Sequence, residues 1–410
     1  MSSPLPSAVP APDRRASSTA VYGVLPRELL LEVLLLLPAK EVCRVRAVCL
    51  SWRSLTYDPL FVAAHAARRP GPLLAVPGGW GGHVSVDLVE LSGDVVKRIR
   101  IATEGHEHRV LCTAFNCLFV DGLNHSISVI DPISGSVSAL PDGIAEDLTC
   151  RTGAGHQAWF AFGQVASTGE YKIVRIIEDG DNSDRVCEVF TFREGFGQWG
   201  KNGSPGHYCD GIGRWRKMES PPAYLDLSCT NGVVVNAAAY FLFDHWQLEE
   251  PYVNGYNIEP GCIPSINLET EQWSVALRGP VSRILEEANG ILNYRDLADR
   301  LRLAELNGFL VTVHCNDRMS TTDLWFLMDF ENCVWSKVYR LQVEYLPSDL
   351  VEVVTPLLVL DEGSIILFVR TGSKGMLQIF YPRTNNAKTV HDLNCFCYAG
   401  VGIYIGSLLR

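Results

Sequence analysis

What this sequence lacks excludes several classes of chemistry. Its 13 cysteines include no Cys-x-x-Cys pair and follow no regular spacing, so neither a zinc ribbon nor a disulfide framework is written here. It has no HExxH, no nucleophile elbow and no glycine loop of the phosphate-cradling type. The opening stretch MSSPLPSAVPAPDRRASSTA lacks the apolar core segment of a secretory leader. Apolar runs stop short of the ~20 residues a bilayer span needs; the leucine-rich one is interrupted by Glu32 and stopped by Pro38. Basic residues are in deficit, 35 against 46 acidic ones, for a net charge of −11. That balance argues against nucleic acid as the main ligand, because phosphate binding needs a basic stripe. These absences predict a cytoplasmic or nuclear protein with reduced cysteines, no metal, no cofactor and no membrane.

What the sequence has in quantity is leucine at helical spacing. Residues 25–61 read LPRELLLEVLLLLPAKEVCRVRAVCLSWRSLTYDPLF. Leu25, Leu29, Leu30, Val33, Leu34 and Leu37 recur on one broad face, and Leu31, Leu35 and Leu36 fill much of the other. Pro26 suits a first helical turn and Pro38 stops the helix. A second helix is expected over about 39–47, through Val42, Cys43 and Val45, and a third over about 48–57, through Cys49, Trp52 and Leu55. Asp58-Pro59 ends the third, and 65–69 finish a last turn before Pro70-Gly71-Pro72. Three short helices rarely enclose a core of their own. Each buried Leu, Val or Trp contributes roughly 1.5–3 kcal/mol, so a partner is expected to complete the burial. The alternative is a three-helix subdomain packed on its neighbour in the same chain.

The same residues carry a resemblance. Leu25-Pro26, Glu28-Leu29-Leu30, Glu32-Val33-Leu34, Leu37-Pro38-Ala39-Lys40, Arg44, Arg46-Ala47-Val48-Cys49, Trp52-Arg53, Leu55, Asp58-Pro59 and Phe61 resemble the F-box motif at fixed spacing. The resemblance implies a helical module over 21–69 that docks on the Skp-type adaptor of a cullin–RING ubiquitin ligase. Its adaptor-binding face would draw on Leu25, Pro26, Leu29, Leu30, Val33, Leu34, Leu37, Pro38, Val42, Val48, Cys49 and Trp52, with some of these serving as internal core. Leu36 and Leu50 depart from the pattern, standing where basic residues are common, and Val45 stands where Phe is common.

Residues 1–20, rich in Pro, Ser and Ala, are expected to be disordered. From about residue 72 to 410 short β-branched and aromatic runs alternate with Gly, Asp, Asn and Pro turns, the all-β signature. Gly232–Leu242 reads as one strand, and Asn231-Gly232 and Asn307-Gly308 as hairpin signals. A strand–turn–strand unit recurs at Asp131-Pro132, Asn267, Asp329 and Tyr381-Pro382. Asn267 and Asp329 each precede a tryptophan by six positions and lie 62 apart (329 − 267), which suggests a kelch-like period. The expected architecture is thus multidomain: an α-helical module, then a β-propeller of about six blades whose ring the 398–409 run helps to close. Tyr171-Lys172-Ile173-Val174-Arg175 and Asp323-Leu324-Trp325-Phe326 make this region resemble the F-box-associated domains common in plant proteins.

Candidate chemistry is sparse. Glu249-Glu250 and Glu286-Glu287 are poor acid/base pairs, since neighbours on a strand face opposite ways. His106 with His108, and Cys395 with Cys397, lack a third metal ligand. Trp80 in its glycine-flanked loop, Trp199 in the long 195–213 loop and Trp246 are the candidate target-binding residues. The reading is a non-catalytic substrate receptor for an unidentified protein target. A lectin-like or small-molecule-binding propeller is the alternative, and it would show a pocket lined by Trp and Asp or Asn.

Overall fold

The computed structural model describes residues 26–37, 39–68, 71–80, 83–101, 109–114, 117–121, 126–144, 157–178, 185–192, 215–226, 231–244, 252–253, 256–289, 292–316, 321–342, 351–371, 374–393 and 400–405. The chain divides into two compact units, Met1–Arg69 and Pro70–Arg410.

Among its described residues the first unit holds four helices: α1 (Arg27–Leu36), α2 (Ala39–Val45), α3 (Leu50–Tyr57) and α4 (Pro59–Ala67). The three-helix expectation is corrected at Asp58-Pro59. Asp58 adopts the extended backbone that precedes a proline (φ −61°, ψ 125°). Pro59 then occupies a first turn, where its missing N–H costs nothing. The Asp58 carboxylate accepts the Leu60 N–H at 2.9 Å. The stop signal is therefore also the start of α4. Leu34, Leu35, Val42, Leu55 and Phe61 form a small buried core. Polar ties reinforce it. A ring nitrogen of His65 lies 2.8 Å from the Leu37 carbonyl, Arg68 pairs with Glu32 at 2.6 Å, and Arg46 donates to the Thr56 carbonyl while stacking 4.0 Å over Tyr57.

The second unit is a six-bladed propeller of four-stranded antiparallel sheets. Blade 1 joins Gly402–Tyr404 to Leu73–Trp80, His83–Val89 and Val95–Ile101. Blade 2 is Arg109–Ala114, Cys117–Asp121, Ile127–Ile130 and Val137–Ala139; blade 3 is Gln157–Gln164, Tyr171–Glu178, Arg185–Phe192 and Arg216–Met218. Blade 4 is Val233–Val235, Ala238–Tyr240, Cys262–Asn267 and Trp273–Arg278; blade 5 is Leu301–Leu306, Phe309–Asn316, Thr321–Asp329 and Val334–Gln342. Blade 6 is Val351–Val359, Ile365–Thr371, Lys374–Tyr381 and Asn386–Leu393. The first-named strand of each blade lies innermost, beside its counterpart in the next. Hydrophobic clusters fill the seams between blades 2 and 3, 3 and 4, 4 and 5, 5 and 6, and 6 and 1. Two short helices, α5 (Val281–Glu287) and α6 (Tyr294–Ala298), connect blade 4 to blade 5.

The recurring unit is the turn before the outermost strand of blades 2, 4, 5 and 6. The carboxylate of Asp131 accepts the Ile133 N–H, the side chain of Asn267 those of Glu269 and Thr270, and the carboxylate of Asp329 those of Glu331 and Asn332, all at 2.8–3.1 Å. Four positions on, Gly135, Glu271 and Cys333 take positive φ, as Asn385 does after Tyr381. The 62-residue separation is one blade lengthened by the α5–α6 insertion, so it is not a repeat length.

The outermost strands are also tied end to start around the rim. Indole N–H groups of Trp215, Trp273 and Trp335 donate to the carbonyls of Pro141, Glu219 and Arg278 at 2.7–2.9 Å, each reaching the end of the previous blade's outer strand. Asn385 and Gln342 make the same join between blades 6 and 5 at 3.0 Å. The six-residue spacing from Asn267 and Asp329 to tryptophan thus places each indole at this seam.

Charged groups lock two seams. Arg175 and Glu188 of blade 3 pair at 2.6 Å with both side chains fully buried. Glu188 also accepts the Ile144 N–H at 3.0 Å from the connection leaving blade 2. Gly143 passes so close that a Cβ there would meet Trp215, Arg175 and Glu188 at 2.7–2.8 Å. Between blades 3 and 4, Glu271 accepts from Lys172 at 2.7 Å and Arg216 at 2.6 Å. Burial pushes the Glu271 carboxyl up, but Arg216 and Lys172 outweigh it and hold the group below the ordinary carboxylate range. A depressed folded value stabilises above the unfolded pKa, ~4.3 for Glu, and that stability is lost as pH falls through the folded value. Glu271→Gln should therefore weaken the propeller at neutral pH, with the difference from the parent shrinking in acid. Urea unfolding at both pH values measures this, and equal losses at the two would contradict it.

Two strand expectations change. Gly232–Leu242 is a hairpin, turned at Asn236-Ala237 with φ +50° and +57°. Asn307-Gly308 makes the expected hairpin turn at φ +51° and +85°. Asn231-Gly232 does not: the Gly232 N–H donates to the Phe160 carbonyl of blade 3, and a Cβ would strike Phe241 at 2.5 Å. There the glycine serves close approach between blades.

Candidate docking surfaces

The first candidate surface is on the helical module. Leu34, one of the residues assigned to the adaptor face, is buried, and so is Val42. Both are core. Leu30, Leu37 and Trp52 are half-buried, and Pro26 and Cys49 are exposed. Leu29 is 53% exposed, Val33 46% and Val48 62%. Leu25 and Pro38 lie outside the described residues. The exposed face of α1 differs from the broad face read from periodicity. It runs through Leu29, Val33 and Leu36, an i, i+4, i+7 stripe, with Leu36 at 69%. Leu36 was assigned to the opposite side. A helix apolar nearly all round gives periodicity no contrast, so burial had to choose. Leu50, at 83% the most exposed of the large hydrophobics among the described residues, opens α3 beside Val48 and Cys49.

Cys49 occupies the N-cap position of α3 and is exposed. Its thiol pKa is lowered, first by the Ser51 hydroxyl 3.1 Å away and then by the Trp52 backbone N–H. Burial pushes the thiol of Cys187 the other way. Cys49 should therefore alkylate much faster than Cys187 in the folded chain, as peptide mass spectrometry of a timed iodoacetamide reaction would record. Comparable rates would contradict it.

The propeller gives a different account of the candidate aromatics. Trp80 does not sit in a loop: it ends the strand Leu73–Trp80 and pairs with His83. Gly78 permits this, because a Cβ there would meet Ser85 and Asp87 at 2.9–3.0 Å. The Trp80 side chain lies outside the described residues, as do Trp199, Trp246, His106, His108, Cys395, Cys397, Glu249-Glu250, the 195–213 stretch and residues 1–20. Glu286-Glu287 lie on α5 rather than a strand, and Glu287 pairs with Lys337 of blade 5. Among the described residues no group of three or more His, Cys, Asp and Glu could hold a metal, and no helix is long and apolar enough to cross a membrane. A cavity lined by Trp159, Asp226 and Asn231 has the side chains that a sugar site would use. Its volume is about 10 Å³, the space of a single water.

Comparison with known protein families identifies the helical module. Residues 22–64 match the F-box-like family model. The chain therefore carries an F-box-like domain, followed by a six-bladed β-propeller. F-box domains in general bind Skp1-type adaptors in ubiquitin ligase complexes. A putative F-box protein of Arabidopsis thaliana is 26% identical over 185 residues, covering 43% of this chain and 46% of that protein. The chain thus spans about half the length of that curated relative. Among solved structures, dihydro-heme d1 dehydrogenase NirN is 9% identical with a TM-score of 0.37, over 83% of this chain and 77% of that one. The Dos1 propeller is 9% identical with a TM-score of 0.34, over 77% and 68%. Likenesses of this size bear on neither ligand nor partner.

Proposed function

We propose that this chain is the substrate-recognition subunit of a cullin–RING ubiquitin ligase. The helical module docks on a Skp-type adaptor, and the propeller, of the F-box-associated type, holds a protein target. The chain performs no bond chemistry; it contributes proximity between the target's lysines and the ubiquitin-loaded enzyme. Its place of work is the cytoplasm, the nucleus or both.

One observation carries the reading. Within the stretch that matches the F-box-like model, Leu29, Val33, Val48 and Cys49 remain on the surface of a module whose own core is already filled by Leu34, Val42, Leu55 and Phe61. Water-exposed aliphatic groups clustered on one small unit mark an interaction site. The test is co-purification of the full chain with a Skp-type adaptor, combined with alkylation of Cys49. The adaptor should co-purify and should slow the labelling of Cys49 while leaving the already slow Cys187 unchanged. Absence of adaptor from the purified complex would refute the assignment. Affinity purification with proteasome activity blocked would then identify the target.

A further inference from the structure

We infer that Leu36 and Leu50 extend the adaptor-docking surface, so that this chain selects an adaptor offering apolar rather than acidic surface at those two points. The inference rests on the docking reading above and specifies the partner's chemistry.

Two independent placements support it. Leu36 lies one turn beyond Val33 on the same exposed stripe of α1 as Leu29, so a partner covering Leu29 and Val33 meets Leu36 next. Leu50 follows Val48 and Cys49 directly, all three exposed where the chain turns into α3. Neither side chain contributes to the module's own core, which Leu34, Leu35, Val42, Leu55 and Phe61 supply. Fold stability therefore gives no reason for a leucine at either position, and each instead continues a run of exposed apolar residues, Leu29 and Val33 on α1 and Val48 and Cys49 before α3, of the kind that marks an interaction surface. A basic residue at these points, the usual choice in the motif this stretch resembles, would reach for a carboxylate on the partner. Leucine offers no such group. It gains from burial against aliphatic or aromatic atoms, and its contribution is insensitive to salt.

Three full-length variants test this against a panel of Skp-type adaptors by calorimetry. Leu36→Lys with Leu50→Lys should weaken binding to the preferred adaptor about tenfold or more and make the remaining affinity salt-dependent. Leu36→Met with Leu50→Met, which keeps apolar bulk, should restore parental affinity. Leu29→Asp with Val33→Asp should abolish binding and serves as the control for the docking reading itself. If the parent chain binds no adaptor, the docking reading and this inference fall together. If the parent binds, the aspartate variant does not, and the lysine variant matches the parent at every salt concentration, this inference alone is overturned.

Discussion

A chain carrying Leu29→Asp and Val33→Asp loses its Skp-type adaptor while its propeller unfolds at the parental denaturant concentration. Both side chains are half exposed or nearly so, so the substitutions leave the core of Leu34, Val42 and Phe61 untouched. In the complex the exposed half of each would be covered, at roughly 0.7–1.5 kcal/mol apiece. Replacing both forfeits about 1.5–3 kcal/mol, a factor of roughly 10 to 100 in affinity. Two carboxylates placed in an apolar contact add a desolvation penalty. The measurements are adaptor pull-down and calorimetry, with circular dichroism confirming helical content. Undiminished binding by a folded variant would remove α1 from the interface. Leu34→Asp would be uninformative, because it buries a charge inside the module.

The second large effect concerns Arg175. Arg175→Met alone should cost about 3–5 kcal/mol of propeller stability. The guanidinium donates from Nε to Glu188 Oε1 at 2.8 Å and lies 4.0 Å from the Trp215 ring centre, and neither partner of the ion pair reaches water. Removing the cation leaves a fully buried carboxylate beside the Trp215 ring with no counter-charge. The double variant Arg175→Met, Glu188→Leu removes both charges, and its loss should be much smaller, since apolar replacement of a buried pair is often neutral or stabilising. It still orphans the Ile144 N–H, which Arg175→Met, Glu188→Gln would keep satisfied. Chemical denaturation of these variants, of Glu188→Leu alone and of the parent measures the non-additivity. Strict additivity would mean that water already reaches the pair.

Much of the architecture was legible because local signals and burial agree. Val95–Ile101 alternates, Asn307-Gly308 can hardly be anything but a tight turn, and the Asn267 and Asp329 turns share one side-chain solution. Other elements were hidden for physical reasons. Arg109–Asp121 contains two strands, but RVLCTAFNCLFVD has no Gly or Pro to mark the break at 115–116. Asn386–Leu393 lies at the outer edge of blade 6, largely in water, so its sequence NAKTVHDL has no apolar face to read. The exposed apolar residues of the helical module could be placed in a stretch from the sequence but not one by one. Leu29 and Leu34 are the same residue type within α1, yet one is half exposed and the other buried; only packing, such as that of α4 on α1, decides which one water sees.

The pairing of Leu73 with Tyr404 has a consequence for biosynthesis. Blade 1 lacks its innermost strand until translation has passed residue 404, so the ring stays open until all six blades have been made. The helical module precedes the propeller in the chain and can form before that. Under the proposed function, a chain terminated inside the propeller would compete with finished copies for the same adaptor without a closed ring to hold a target.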